Sequence, residues 1–167
     1  MDTSNLVNND DQCVVWSRKI WLELLNSSDP VELKSLMSRI ALPNYTWLRK
    51  PQVGLYMVRG RTGGSGSTFN LGEVPVTRCV LRIDSNAHFP IVGISYTLGR
   101  APAHATLCAM ADAMLQDRVT TEVLQNDVLA ALLSSRDAKN QRRQAEVQST
   151  RVEFFSVARE SRAGEAS

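Results

Sequence analysis

Apolar residues recur along this chain at two different periods, and the places where the period changes divide it into elements. From Gln12 to Leu25, residues Cys13, Trp16, Ile20 and Leu24 stand at helical spacing, with Val14, Trp21 and Leu25 widening the stripe. Ser27-Ser28-Asp29-Pro30 ends that helix and opens another. Asp29 suits the N-cap, Pro30 the first helical position, and Glu32 the third, where a capping box places its acid. Leu33, Leu36, Met37 and Ile40 give the second helix a single apolar face, so the first forty residues predict a helical hairpin.

At Leu42-Pro43-Asn44 the helix breaks and the period becomes two. Tyr45 to Leu48 predicts a short strand, Arg49-Lys50-Pro51 a turn, and Gln52 to Arg61 a second strand. In that second strand Val53, Leu55 and Met57 alternate with Gly54, Tyr56 and Val58, so both faces are partly covered. A glycine-rich stretch, Arg59 to Glu73, joins it to the next strand, Val74 to Asp84. In that strand Thr77, Cys79, Leu81 and Ile83 point one way while Arg78 and Arg82 point the other. Val92, Ile94, Tyr96 and Leu98 form one face of the last strand. The connections are too short for parallel crossovers, which predicts an antiparallel meander.

Gly99-Arg100-Ala101-Pro102 turns strand into helix. From Ala103 to Leu115 the helix is apolar almost all round, apart from Asp112, so it is expected to be buried on several sides. A further helical run spans Glu122 to Leu133. No glycine or proline interrupts Arg136 to Glu160, where five basic residues against two acidic ones over 134–151 leave a local charge of +3. The fold class is therefore α+β: an N-terminal helical hairpin, an antiparallel meander with a glycine-rich loop, and long C-terminal helices. Residues 1–11 read as a disordered lead, 12–133 as the α+β domain, 134–160 as a basic helical arm for partner docking, and 161–167 as a disordered tail.

Composition narrows the function classes. The net charge of +2 over 167 residues makes no claim on nucleic acid or membrane, and no apolar run is long enough to span a bilayer. Cys13, Cys79 and Cys108 are odd in number and far apart, which fits buried thiols in a reducing, cytoplasmic compartment. Two histidines and three cysteines without ligand spacing predict no metal site, and no Gly-x-Ser-x-Gly elbow is present.

Three constellations remain. The loop with Gly63, Gly64 and Gly66 offers an anion-binding nest beside Arg59, Arg61 and Arg78, or simply a hairpin turn. It lacks the Gly-Lys-Ser/Thr ending of a P-loop and precedes a strand rather than a helix. Arg100 and His104 flank a helix N-terminus, a second place for an anion, with a capping or partner-facing histidine as the plainer reading. Asp112 needs a partner on its apolar helix, and an ion pair with a strand arginine is expected. Finally, Arg151, Phe154, Phe155 and Arg159 put adjacent aromatics on a basic arm, a pattern either of a docking element or of a helix folded back on its own sheet.

Taken in order, several of these stretches resemble the G subunit of the bacterial phosphonate carbon–phosphorus lyase system. The resemblance rests on Gly63-Gly64-x-Gly66 with Phe69, Gly72-Glu73 and Thr77-Arg78, and on Gly93-x-x-Tyr96-x-x-Gly99-Arg100. It continues through His104-Ala105 and Ala111-Asp112-Ala113 and closes with Arg143 to Val147, Arg151-Val152-Glu153-Phe154-Phe155 and Val157-x-Arg159. Glu160 stands where the family tends to have glycine. The resemblance implies membership of a cytoplasmic complex with H, I and J subunits. With H, I and the L protein, the G subunit is required to make α-D-ribose 1-methylphosphonate 5-triphosphate, methylphosphonate replacing the adenine of ATP. Adenine release belongs to the I subunit and C–P cleavage to the iron–sulfur J subunit, so the resemblance assigns no catalytic residue and no cofactor here. ATP and methylphosphonate are substrates of the complex. The expected role is structural and site-shaping. The alternative is a co-catalytic subunit in which Gly63 to Gly66, Arg78, Arg100 and His104 converge on a phosphate or phosphonate.

Overall fold

A computed structural model describes residues 16–62, 66–84 and 90–150. The expected lead and tail, Cys13, Gly63, Gly64, His88, Arg151, Phe154, Phe155 and Arg159 lie outside the described residues.

Helices α1 (Arg18–Ser27) and α2 (Pro30–Met37) form the predicted hairpin. The Asp29 carboxylate accepts from the Val31 and Glu32 amides at 2.9 and 3.3 Å, with Pro30 opening the helix. The buried face of α1 differs from the expected stripe. Trp21, Leu24 and Leu25 are buried, whereas Ile20 is exposed. The rotation follows from a polar contact, because Trp21 and Arg18 both reach the buried Asp112.

Three strands follow in the order β1-β2-β3, all antiparallel: β1 (Tyr45–Arg61), β2 (Thr68–Ile83) and β3 (Ile91–Leu98). The turn expected at Arg49-Lys50-Pro51 is instead a bulge within one long strand. Trp47 faces Leu81, Arg49 faces Val80 and Gln52 faces Arg78, so the surplus residues are absorbed without reversing the chain. Pro51 is tolerated there because it lies in an edge strand. A second irregularity between Val58 and Arg59 leaves Leu71 unpaired beside Gly72, whose φ of 153° is open to glycine.

Helix α3 (Pro102–Gln116) lies across β2 and β3 and is buried nearly throughout, as its composition predicts. It approaches β3 so closely that a Cβ at Gly93 would run into the Ala109 carbonyl oxygen. After a turn at 117–120, α4 (Thr121–Leu124), a π-helical turn (Gln125–Leu129) and α5 (Ala130–Ser149) run on continuously. Leu124, Val128, Leu129 and Leu132 close the core against α2 and α3. From Lys139 onward α5 is exposed on every side, so the arm leaves the body as a lone helix.

The result is two layers, with helices packed on one face of the sheet. Thr77, Cys79, Leu81 and Ile83 point into the helical layer, and Arg78 and Arg82 point away, as the alternation predicts. On β3 the small residues Gly93, Ser95 and Thr97 face the helix, leaving Ile94, Tyr96 and Leu98 on the open face.

Candidate functional site

The described polar groups proposed for an anion site occupy four separate places. Arg61 closes the ladder opposite Thr68 at the hairpin tip, and Arg59 Nη2 donates to Thr68 Oγ1 at 2.9 Å. Gly66 is exposed just beyond. Arg78 lies ten residues further along β2 than Thr68, roughly 33 Å at about 3.3 Å per residue. It projects from the open face between Gln52 and Tyr96. Arg100 is exposed near the base of the hairpin, one residue after Gly99, whose amide bonds the Pro75 carbonyl at 2.7 Å.

His104 lies under the opposite face of the sheet. It is buried in the first turns of α3, with Nε2 3.3 Å from Ser28 Oγ. Burial pulls its pKa below the ordinary histidine value, against the opposing effects of a hydrogen bond involving the Leu25 backbone and the Asp29 charge. A neutral histidine packed against the α1–α2 junction is not an anion ligand. Among the described residues Gly66, Arg78 and His104 lie apart from one another, and Gly63 and Gly64 lie outside the described residues. The sheet separates His104 from Arg78, and the length of the hairpin separates both from Gly66.

Asp112 is the polar centre of the core. Its carboxylate is fully buried and accepts from Arg18 Nη2 at 2.7 Å, Arg18 Nε at 3.1 Å, Trp21 Nε1 at 2.9 Å and the Ile94 amide at 2.9 Å. The cation comes from α1, not from a strand arginine as expected, because Arg78 and Arg82 face away from α3. The same interaction raises the Arg18 pKa, hydrogen bonding to Asp112 outweighing desolvation. Nothing in this arrangement is open to a substrate. One carboxylate ties α1, α3 and β3 together. The only sequence signal for the Arg18 partnership was its i, i+3 spacing from Trp21.

Other polar residues of the core are similarly engaged. Thr77 Oγ1 donates to the Gly99 carbonyl at 2.7 Å and accepts from the Ala101 amide at 3.0 Å, fixing the strand-to-helix corner where Gly99 has φ 92°. Cys79 and Cys108 are buried, and burial pushes their thiols up to about 11 and about 12, so they are inert packing residues as expected. Among the described residues no group of three or more His, Cys, Asp or Glu side chains is placed to hold a metal ion.

The uncovered apolar surface is on the outside. Beyond Val76 the β1–β2 hairpin runs past the end of β3, and β3 no longer supports it. Leu55, Tyr56, Met57, Phe69 and Leu71 are all exposed there, Leu55 and Tyr56 by about two thirds. Tyr96 and Leu98 continue this surface onto the open face of the sheet. An isolated two-stranded ribbon is at best marginally stable in water, and exposed apolar surface of this extent marks an interaction site.

A small two-layer α+β protein with its inner polar groups committed to its own architecture, and its apolar surplus on a projecting ribbon, is an assembly component in form. The chain belongs to the phosphonate metabolism protein PhnG family, whose model matches residues 16–160. A relative from Rhizobium meliloti (strain 1021), named alpha-D-ribose 1-methylphosphonate 5-triphosphate synthase subunit PhnG, is 39% identical over 120 residues. That alignment covers 70% of this chain and 72% of the relative.

Proposed function

We propose that this chain is an architectural subunit of an α-D-ribose 1-methylphosphonate 5-triphosphate synthase, acting in organic phosphonate catabolism. It works in a cytoplasmic hetero-oligomer with H, I and J subunits, the I subunit being its most direct partner, and functionally with the L protein. ATP and methylphosphonate are substrates of the assembly, and this chain brings neither a cofactor nor a catalytic residue. The observation that carries the reading is the contrast between its two surfaces. The buried side chains of Thr77, Ser95, Thr97, His104 and Asp112 are engaged by the fold, while the apolar residues of the hairpin and open sheet face are not covered by any of the described residues. No helix of the described residues is long and apolar enough to cross a membrane, consistent with a water-exposed complex.

The test is co-expression with the H, I and J homologues, sizing of the assembly, and an assay of adenine release from ATP in the presence of methylphosphonate. Omission of this chain is expected to abolish the assembled species and adenine release together. Arg78→Ala and Arg100→Ala are expected to leave release within about threefold of the parent. A loss of release from an intact assembly carrying Arg100→Ala would make the chain part of the reaction site instead. Recovery of a stable isolated monomer that does not assemble would refute the architectural reading.

A further inference from the structure

The two edges of the sheet are treated differently, and the difference specifies a binding mode. On the β3 edge, the outward amides of Ile94 and Tyr96 and the outward carbonyl of Val92 are occupied by side chains of the helices. Asp112 accepts from the Ile94 amide at 2.9 Å, and Asn26 Oδ1 accepts from the Tyr96 amide at 3.2 Å. The Val92 carbonyl accepts from Gln116 at 3.0 Å and Arg18 at 3.3 Å. No strand can pair there without displacing them.

The β1 edge has no such cover among the described residues. The direction of its backbone groups follows from the register. The Pro75 carbonyl bonds Gly99 on the β3 side, so Pro75 turns its polar groups away from β1. Leu55 is directly opposite Pro75, and an antiparallel pair of this kind turns both members outward. By the two-residue period, Val53 and Met57 also present their amides and carbonyls to the outside, since the register is unbroken from Gln52 to Val58.

The sequence along that edge is uneven. Arg49, Lys50 and Pro51 carry the charges and missing donor that normally blunt an edge strand. Gln52 to Val58 carries no charge and no proline, and Arg59 and Arg61 follow. The whole of β1 holds four basic residues and no acidic one. A second copy pairing its own β1 here would bring four positive charges against four, an arrangement that costs stability in strand pairs.

We infer that the Gln52–Val58 edge is a β-augmentation site for an extended, largely apolar segment of a different chain, flanked at both ends by acidic residues. The inference rests on the multi-subunit reading above and names the binding mode within it. Backbone pairing at Val53, Leu55 and Met57 supplies affinity, and the exposed side chains on either face of the ribbon select an apolar partner. The basic residues at the two ends fix register by electrostatic complementarity.

Hydrogen exchange on the chain alone and in the co-purified complex tests this. The amides of Val53, Leu55 and Met57 are expected to slow by at least about tenfold on assembly. Those of Ile94 and Tyr96, already bonded to side chains, are expected to change little. Leu55→Pro, which removes an outward donor and an exposed side chain but no hydrogen bond of the sheet, is expected to leave the melting of the free chain unchanged and to abolish co-purification, whereas Leu55→Ala, which keeps the donor, is expected to retain co-purification. Charge reversal by Arg49→Glu with Lys50→Glu is expected to weaken assembly at low salt, and unchanged assembly would overturn the acidic flanks. A complex that forms with these three amides still exchanging freely overturns the inference while leaving the subunit assignment intact, even if Leu55→Pro does not fold. Concentration-dependent protection in the free chain would replace the foreign segment with a second copy. Failure to assemble at all overturns both readings.

Discussion

Replacing Asp112 by asparagine preserves the shape of the side chain and changes only its charge and hydrogen-bonding sense. Both carboxylate oxygens are used as acceptors, one by Trp21 Nε1 and Arg18 Nε, the other by the Ile94 amide and Arg18 Nη2. An asparagine amide must point its NH2 at one of these pairs, where a donor meets donors. Stranding one buried donor costs about 1–3 kcal/mol. The Arg18 side chain is 43% exposed and relaxes toward water, so the lost charge pairing adds only about 0.5–1 kcal/mol. The expected loss is therefore about 2–4 kcal/mol, a large part of the roughly 5–15 kcal/mol that holds a domain together. Urea unfolding followed by far-UV circular dichroism reads it. With a slope of about 2 kcal/mol per molar, the midpoint falls by about 1–2 M at unchanged slope. Combining Asp112→Asn with Trp21→Phe removes one of the opposed donors, so the double variant should lose less than the sum of the singles. A midpoint shift below about 0.5 M would refute the account of Asp112 as the junction of α1, α3 and β3.

Other substitutions test the packing and protonation of the core. Gly93→Ala drives a Cβ into the Ala109 carbonyl and Ala113, so it is expected to cost about 3 kcal/mol, read as a lowered melting temperature. The His104 pKa is depressed in the fold, so the unfolded chain takes up a proton first as pH falls below its ordinary value of 6.5. Stability present above pH 6.5 is then lost toward the folded value, and melting curves at pH 7.5 and 5.5 should differ less in His104→Gln than in the parent. With Cys13 replaced by serine, Cys79 and Cys108 should react with a thiol reagent at pH 8 only after urea unfolding, because burial holds them protonated to about 11 and about 12.

Much of this fold was legible because local signals agreed with packing. Asp29-Pro30 announced the start of α2, the apolar circumference of 103–115 announced a buried helix, and the alternation of Thr77 to Ile83 gave the inward face of β2. The errors arose where long-range contacts overrode local pattern. Arg49-Lys50-Pro51 has the composition of a turn, yet the long partner strand absorbs it as a bulge. Ile20 fits the helical stripe of α1, but the demand of Asp112 for donors rotates Trp21 inward instead. On β3 the apolar residues are on the open face and the small ones are under α3, an inversion visible only once Gly93 is seen beneath Ala109. The spacing of the candidate anion-site residues was hidden for a similar reason. Sequence shows which charges exist near a glycine loop, but the distance from Thr68 to Arg78 depends on the hairpin staying extended.

The occupied edge of β3 also sets a limit on growth. Edge-to-edge stacking into an open filament requires each molecule to offer two complementary edges, one to receive and one to donate. Asp112 and Asn26 occupy two amides of one of them, Asp112 from inside the fold and the half-buried Asn26 from its margin. A sheet extended through β1 would meet at β3 an edge whose Ile94 and Tyr96 amides are already taken. The hydrogen bonds of a single strand thus weigh against further growth on that side and favour an assembly of finite size.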